Sequence, residues 1–279
     1  SMVVLQKVLS DFPAREKQVK IINLKKNSGQ AAVRKIGVQN ASGDFIIFCD
    51  SDDWVDRCMY QQMYDFAIAN ECDVVRCLFS RVFISGEEIC KKVPVKAYND
   101  KKQLLSFLIR STDLSSTCDK LVKRDIFESP EFIFPKDDMC EDLIYTLQYF
   151  LKAKSVGYIN KAFYYYRQNE SSISHVLDTA HICAKAQQIS NNVELLIKIL
   201  KHYGLDQLFD KELIAAKYMA KDSYRPILGR KGINHKWYNC YREINSKILS
   251  NRYLSSRQKC NFILCLIGIY PILARALKR

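Results

Sequence analysis

Three carboxylates in four positions, Asp50-Ser51-Asp52-Asp53, follow directly on the apolar run Ile46-Ile47-Phe48-Cys49. An apolar run of this length ending in acids reads as a buried strand that emerges at the edge of a sheet. Open α/β sheets place their ligands beyond the carboxyl ends of such strands. In an extended chain, residues i and i+2 point the same way, which would let Asp50 and Asp52 converge on one object. A hard divalent cation carrying a diphosphate suits that pair, because Mg²⁺ or Mn²⁺ takes one or two carboxylates and completes its shell with substrate oxygens and water. The competing reading is a turn whose Asp residues cap the next helix.

Upstream, Asn27-Ser28-Gly29 precedes a helical stretch over 30–41 that carries Arg34. Gly29 permits a tight turn or a close backbone approach, and an Arg one turn into a helix is placed to meet a phosphate. An ordinary surface arginine is the plain alternative. Downstream, Glu141 and Asp142 open a helix over 141–154 with Leu143, Leu147 and Phe150 inward. Acids in a first helical turn also complement the helix dipole, so this pair has a purely structural reading as well.

The elements that would hold these residues follow from periodicity. Residues 3–10 read as a helix stopped by Asp11-Phe12-Pro13, and 19–24 as a strand. A helix feeding a parallel strand needs an earlier strand, so the chain is expected to lack the start of its domain. Helices are expected over 57–70, capped by Asp56, and over 101–110. Strands are expected over 44–49, 73–84 and 156–166, and residues 167–175 as a polar loop. Beyond residue 176 strand signals vanish and helical periods run over 178–202, 206–224 and 236–249. The domains are therefore expected to be 1–175, α/β, and 176–279, helical.

Charge is unevenly spread. The chain carries +13, of which residues 225–279 hold +11, with twelve Lys/Arg and the single acid Glu243. Residues 262–274 are apolar nearly all round, but at this length, with Pro271 inside, they fall short of a membrane span. Basic residues on both sides make an interfacial helix on an anionic membrane the counterpart of a buried core helix. Eleven cysteines without metal-like spacing point to reduced thiols. No nucleic-acid-reading motif accompanies the basic tail, so nucleic acid is not an expected partner.

Taken in order, these pieces resemble the inverting family 2 glycosyltransferases of the GT-A fold that build bacterial surface polysaccharides. The similarity lies in Asn27-x-Gly29-x-x-x-x-Arg34-x-x-Gly37, in Gly43 followed by Asp50-Ser51-Asp52-Asp53 (the DXD motif), in Cys118-Asp119-Lys120-Leu121, in Glu141-Asp142 (the ED motif), and in Tyr165-Tyr166-Arg167 through Ser174. It covers about residues 3 to 175. The resemblance implies a GT-A (Rossmann-like) domain and a nucleotide-sugar donor, a UDP-sugar above others. Asp50, Asp52 and His175 would serve as ligands of Mn²⁺ or Mg²⁺. Asn27, Gly29, Arg34, Asp50 and Asp52 would hold the donor, and Asp142 would be the general base. It further implies a saccharide or lipid-linked acceptor and a cytoplasmic protein held at the inner face of the membrane. The family's first strand and the acidic loop after its second, which shape its nucleoside pocket, have no counterpart in this sequence. Two other readings stand beside it. One is a phosphatase of the haloacid dehalogenase type using Asp50, Lys120 and Asp137-Asp138, where Trp54 takes the place of the expected small hydroxyl residue. The other is a non-catalytic membrane-surface module.

Overall fold

The structure is a computed structural model that describes residues 2–91, 100–168 and 178–276. Its centre is a mixed sheet in the order β1-β5-β3-β6-β2, with β4 added to β3. The strands are β1 (Phe45–Ile46), β2 (Trp54–Val55), β3 (Val74–Val82), β4 (Glu88–Lys91), β5 (Lys120–Lys123) and β6 (Val156–Arg167). Only β3 and β6 run parallel; the other pairs are antiparallel. The run Val74-Val75-Arg76-Cys77-Leu78-Phe79-Ser80 is buried throughout, as a strand covered on both faces must be.

Helix α1 (Met2–Ser10) buries none of its side chains, and α2 (Gln30–Asn40) buries Ala31, Arg34 and Val38. Helix α3 (Met59–Ala69) lays Met59, Met63 and Ala67 on β3 and β6, while Asp56 accepts from the Cys58 amide at its start. Helix α4 (Lys101–Arg110) is capped by Asp100, and α5 (Asp125–Glu128) is a single turn. Helix α6 (Glu141–Lys152) is buried along nearly its whole length, because α4 and the later helices enclose the side not covered by the sheet. Helices α7 (Thr179–His202) and α8 (Asp210–Asp222) place Val193, Leu196, Leu213 and Ala216 in the same apolar cluster as Leu108 of α4 and Leu147 of α6. Shorter helices follow: α9 (Ile233–Asn239), α10 (Ser256–Leu266) and α11 (Tyr270–Ala276).

Several expectations are corrected. Residues 19–24 are not a strand; they run irregular and exposed, with Ile21 and Ile22 each 41% accessible. β-propensity becomes a strand only beside a partner edge, and among the described residues no strand pairs with this segment. The strand expected over 44–49 shrinks to Phe45–Ile46 at one edge of the sheet. The apolar run still alternates like an extended chain: Ile46 and Phe48 meet the α6 cluster, while Phe45 and Ile47 meet the α3 cluster. The helix expected over 236–249 breaks at Tyr241, whose φ is +50°, and the apolar stretch 262–274 breaks at Gly268, φ +77°. No helix among the described residues is long and apolar enough to cross a membrane. All eleven cysteines are free.

Candidate active site

The site forms where the apolar segment ending in Asp50, the middle of α2 and the first turn of α6 meet. Arg34 is its hub. Its Nη1 donates to Glu141 Oε1 at 2.7 Å and to Asp142 Oδ1 in a short contact, and its Nη2 reaches Asp50 Oδ1 at 3.4 Å. The guanidinium lies over the Phe48 ring, 5.4 Å from its centroid. The Arg34 side chain is only 6% exposed, whereas those of Asp50 and Asp142 are 34% and 32% exposed. Solvent and ligands therefore reach the carboxylates more readily than the cation. Arg34 is thus no ordinary surface arginine: its guanidinium is engaged by the acids at the cleft.

One cation against three acids leaves excess negative charge in a poorly hydrated place. Burial opposes the Arg34 charge, but Asp142, Glu141 and Asp50 outweigh it and hold its pKa above the ordinary value. The Glu141 carboxyl is pushed up to about 8, by burial first and by Asp142 second, against the pull of Arg34. Burial also raises the Asp142 pKa, with Arg34 opposing it. Burial and like-charge repulsion thus push both carboxyls of the pair up, with Arg34 opposing the rise. Of the two, Asp142 is the one that is exposed to the cleft. Asp142 Oδ1 is fixed by Arg34 and by Thr117 Oγ1 at 3.3 Å, and among the described residues no group donates to Oδ2.

The acidic turn is arranged differently from an extended strand end. The Asp53 amide donates to Asp50 O at 3.2 Å, closing a turn over 50–53, so Asp50 and Asp52 are not aligned by strand alternation. Asp53 is structural: Oδ2 accepts from Tyr164 Oη at 2.5 Å and Oδ1 from the Arg167 amide at 2.8 Å, tying the turn to β6. Tyr164 Oη in turn accepts from the Asp50 amide. Among the described residues Asp50 Oδ1 has only long contacts, to Gln30 Nε2 and Arg34 at 3.4 Å each, and Asp52 is exposed. Among the described residues no cluster of three His, Cys, Asp or Glu gathers for a metal. The two loosely held carboxylates fit a hard cation whose remaining ligands come from a diphosphate and water. His175 lies outside the described residues.

Asn27 and Gly29 serve the local backbone. Asn27 Oδ1 accepts from the Gly29 amide at 3.1 Å, and Gly29 takes φ +81°. The positive end of α2 is already filled: Asp138 Oδ1 accepts from the Ala31 amide at 2.8 Å. A Cβ on Gly29 would sit 2.3 Å from Asp138 Oδ2. The close approach that this glycine permits is thus by Asp138 of the same chain. Nothing in the local sequence signals that bond, which spans 107 positions.

A cleft of about 220 Å³ opens beside these groups, lined by Arg34, Asp50, Asp142, Tyr166, Arg81 and the segment Ser115–Cys118. Its floor is held from behind by a fully buried ion cluster. Arg76 Nε and Lys120 Nζ each donate to Asp119 at 2.7 Å, and Lys120 also donates to the Ser116 carbonyl. The phosphatase constellation is therefore not assembled. Lys120 is committed to Asp119, Asp137 accepts from Asn191, and Asp138 caps α2.

The family model described as "Glycosyl transferase family 2" matches residues 4–128, which contain Arg34, Asp50 and Asp52; Asp142 lies beyond its end. The uncharacterized glycosyltransferase EpsJ of Bacillus subtilis is 24% identical over 205 residues, 71% of this chain and 58% of that protein. The putative glycosyltransferase EpsH of the same organism is 28% identical over 171 residues, 60% of this chain and 49% of that protein. A cholesterol galactosyltransferase of Borreliella burgdorferi is 28% identical over 184 residues, 62% of this chain and 50% of that protein. The chain spans about half the length of these curated relatives. Among solved structures, S. aureus TarS in complex with UDP-GlcNAc aligns with a TM-score of 0.48 at 17% identity, covering 79% of this chain and 70% of that one. Residues 4–128 are thus similar to the family 2 glycosyl transferases, and the mixed α/β sheet with its flanking helices is followed by a helical C-terminal region.

Proposed function

We propose that this protein transfers a sugar from a nucleotide-diphosphate donor, a UDP-sugar, to a hydroxyl acceptor with inversion, in the synthesis of a cell-surface polysaccharide. The observation that carries this reading is the convergence of Asp50 and Asp142 on one cleft, both bound to the same buried Arg34. Relatives named for sugar transfer to hydroxyl-bearing acceptors support it: the cholesterol galactosyltransferase, and a poly(ribitol-phosphate) beta-glucosyltransferase of Bacillus spizizenii, 25% identical over 161 residues.

In this reading Asp142 Oδ2 takes the proton of the incoming hydroxyl as its oxygen bonds to the anomeric carbon. The bond from that carbon to the diphosphate breaks on the opposite face, which inverts the centre, and the electron pair leaves with the nucleotide. Arg34 and Thr117 hold Asp142 Oδ1 so that Oδ2 keeps its aim. Asp50 and Asp52 would hold Mn²⁺ or Mg²⁺, which supplies Lewis-acid stabilisation of the leaving diphosphate.

Calorimetry with UDP tests the donor site. Mn²⁺-dependent binding is expected, weakened at least tenfold in Asp52→Ala. Equal affinity with Mn²⁺ and with a chelator overturns the metal assignment, and no UDP binding by the wild type overturns the transferase reading.

The helical end suits the anionic inner face of the cytoplasmic membrane. Ile263, Leu266, Ile267, Ile269, Ile272 and Leu273 on and between α10 and α11 are exposed. They lie in the segment whose net charge is +11. Each cation near such a surface contributes about 1 kcal/mol. Sedimentation with phosphatidylglycerol vesicles, and not with phosphatidylcholine vesicles, is expected. It should be lost in Ile267→Asp/Ile272→Asp; equal sedimentation of that variant refutes the placement.

A further inference from the structure

The cleft holds a second cation that the transfer reaction as described does not use. Arg81 lies near the end of β3, one position from its last residue. The strand alternates so that Phe79 and Arg81 share a face, and their β6 partners on the register are Tyr164 and Tyr166. Tyr164 is the residue that bonds the Asp50 amide and Asp53. Arg81 therefore stands one step further out along the face that carries the acidic turn, beside Tyr166 and opposite the loop Ser115–Cys118.

The two arginines of the cleft are in opposite states. Arg34 is buried and shared among three carboxylates. Arg81 is exposed; its backbone pairs with β4 and β6, and its guanidinium, whose charge falls on Tyr166, makes no hydrogen bond or ion pair with the described residues. The remaining acid of the cleft, Asp113, accepts from Ser111 Oγ at 2.9 Å. Neither Asp52 nor Gln30 lines the cleft. Arg81 and Asp142 thus line one cleft, so a molecule whose hydroxyl meets Asp142 shares that cavity with the Arg81 guanidinium.

An unpaired guanidinium is a planar fork of donors that matches the oxygens of a phosphate, and a phosphate pairs with it more strongly than a neutral hydroxyl does. We infer that the acceptor side of this cleft is an anion subsite: Arg81 binds a phosphate ester carried by the acceptor close to the hydroxyl that Asp142 deprotonates. The inference rests on the transferase reading for the word acceptor, but the binding it asserts does not require turnover. It makes Arg81 a specificity-determining residue that selects phosphorylated over neutral polyols.

Calorimetry with soluble probes tests it, on the protein alone and on the protein saturated with UDP and Mn²⁺. Glycerol 3-phosphate is expected to bind at least tenfold more tightly than glycerol. Arg81→Gln should bring it to the level of glycerol, and Arg81→Lys should recover part of the difference. UDP affinity should be the same in wild type and Arg81→Gln. Equal binding of glycerol and glycerol 3-phosphate, or equal binding of the phosphate ester by wild type and Arg81→Gln, overturns the inference. A tenfold loss of UDP affinity in Arg81→Gln also overturns it, by moving the arginine to the donor. Failure of the wild type to bind UDP defeats the transferase reading, while the measurement without nucleotide still decides the anion subsite. Short-chain phosphatidylglycerol distinguishes the source of the phosphate. Arg81-dependent binding tighter than that of glycerol 3-phosphate identifies a lipid headgroup, and equal binding identifies a soluble ester.

Discussion

Asp142→Asn separates the acid–base role of this residue from its structural one. Asparagine keeps the planar shape, and its Oδ1 can still accept from Arg34 and Thr117, the two groups that hold Asp142 Oδ1. What is lost is the proton-accepting oxygen at the cleft. General-base catalysis contributes about 10²- to 10⁴-fold, or ~3–5 kcal/mol of barrier, so kcat should fall by that factor. The fold should hardly notice. The substitution removes one of three acids around a single buried cation, and the Asp142 charge is one of the causes that hold the Glu141 pKa up. The change therefore relieves repulsion while weakening the attraction to Arg34, and the net effect on stability should stay within about 1 kcal/mol. The assay is release of UDP from UDP-glucose in Mn²⁺, alongside calorimetry of UDP binding and thermal unfolding of the same preparation. Turnover within threefold of wild type would place the base elsewhere. Loss of UDP binding in proportion to turnover would make Asp142 a donor-binding residue.

Glu141 gives the cluster a pH signature. Its carboxyl titrates near 8 in the folded protein against an ordinary 4.5, so the folded state holds a proton that the unfolded state has released between those values. Stability should therefore fall as pH rises from about 5 to 8, by up to about 1.4 kcal/mol per unit from this group, and Glu141→Gln should flatten the slope. Urea unfolding at several pH values measures it; a wild-type slope of opposite sign refutes the assignment. Two glycines in one short stretch should respond oppositely. Gly29→Ala meets both a positive φ and Asp138 and should cost about 2–3 kcal/mol. Gly37→Ala, inside α2 with nothing near, should stabilise by about 0.5–1 kcal/mol. Denaturant midpoints check both, and equal effects would refute the packing argument.

What could be read beforehand was what short-range chemistry dictates. Helices α3 and α6 follow from apolar residues at helical spacing, and β3 from a stretch rich in strand-forming residues, though Arg76, Ser80 and Arg81 interrupt it. Arg34, Asp50 and Asp142 stood out because their types and order matched a pattern, and the fold does bring them together. The burial of Arg34 did not stand out, because a lone Arg on a helix has no local sign of which face the chain will cover. Asp53 looked equivalent to Asp50 and Asp52, and only the return of β6 with Tyr164 makes it a brace. Residues 19–24 have the composition of a strand, but composition does not supply a neighbouring edge. The breaks at Tyr241 and Gly268 interrupt stretches whose apolar content alone reads as continuous helix.

The bond from the Ala31 amide to Asp138 has a consequence for observing this site. It joins the helix that carries Arg34 to the loop that leads into Glu141 and Asp142, and it is exchangeable. Ala31 is fully buried. Its amide lies in the first turn of α2, where helices leave their N–H groups without an internal acceptor. Its protection from solvent deuterium thus depends on the carboxylate of a segment far away in the chain. The lifetime of that one proton is a clock for how often the two halves of the site part, readable without substrate and without turnover.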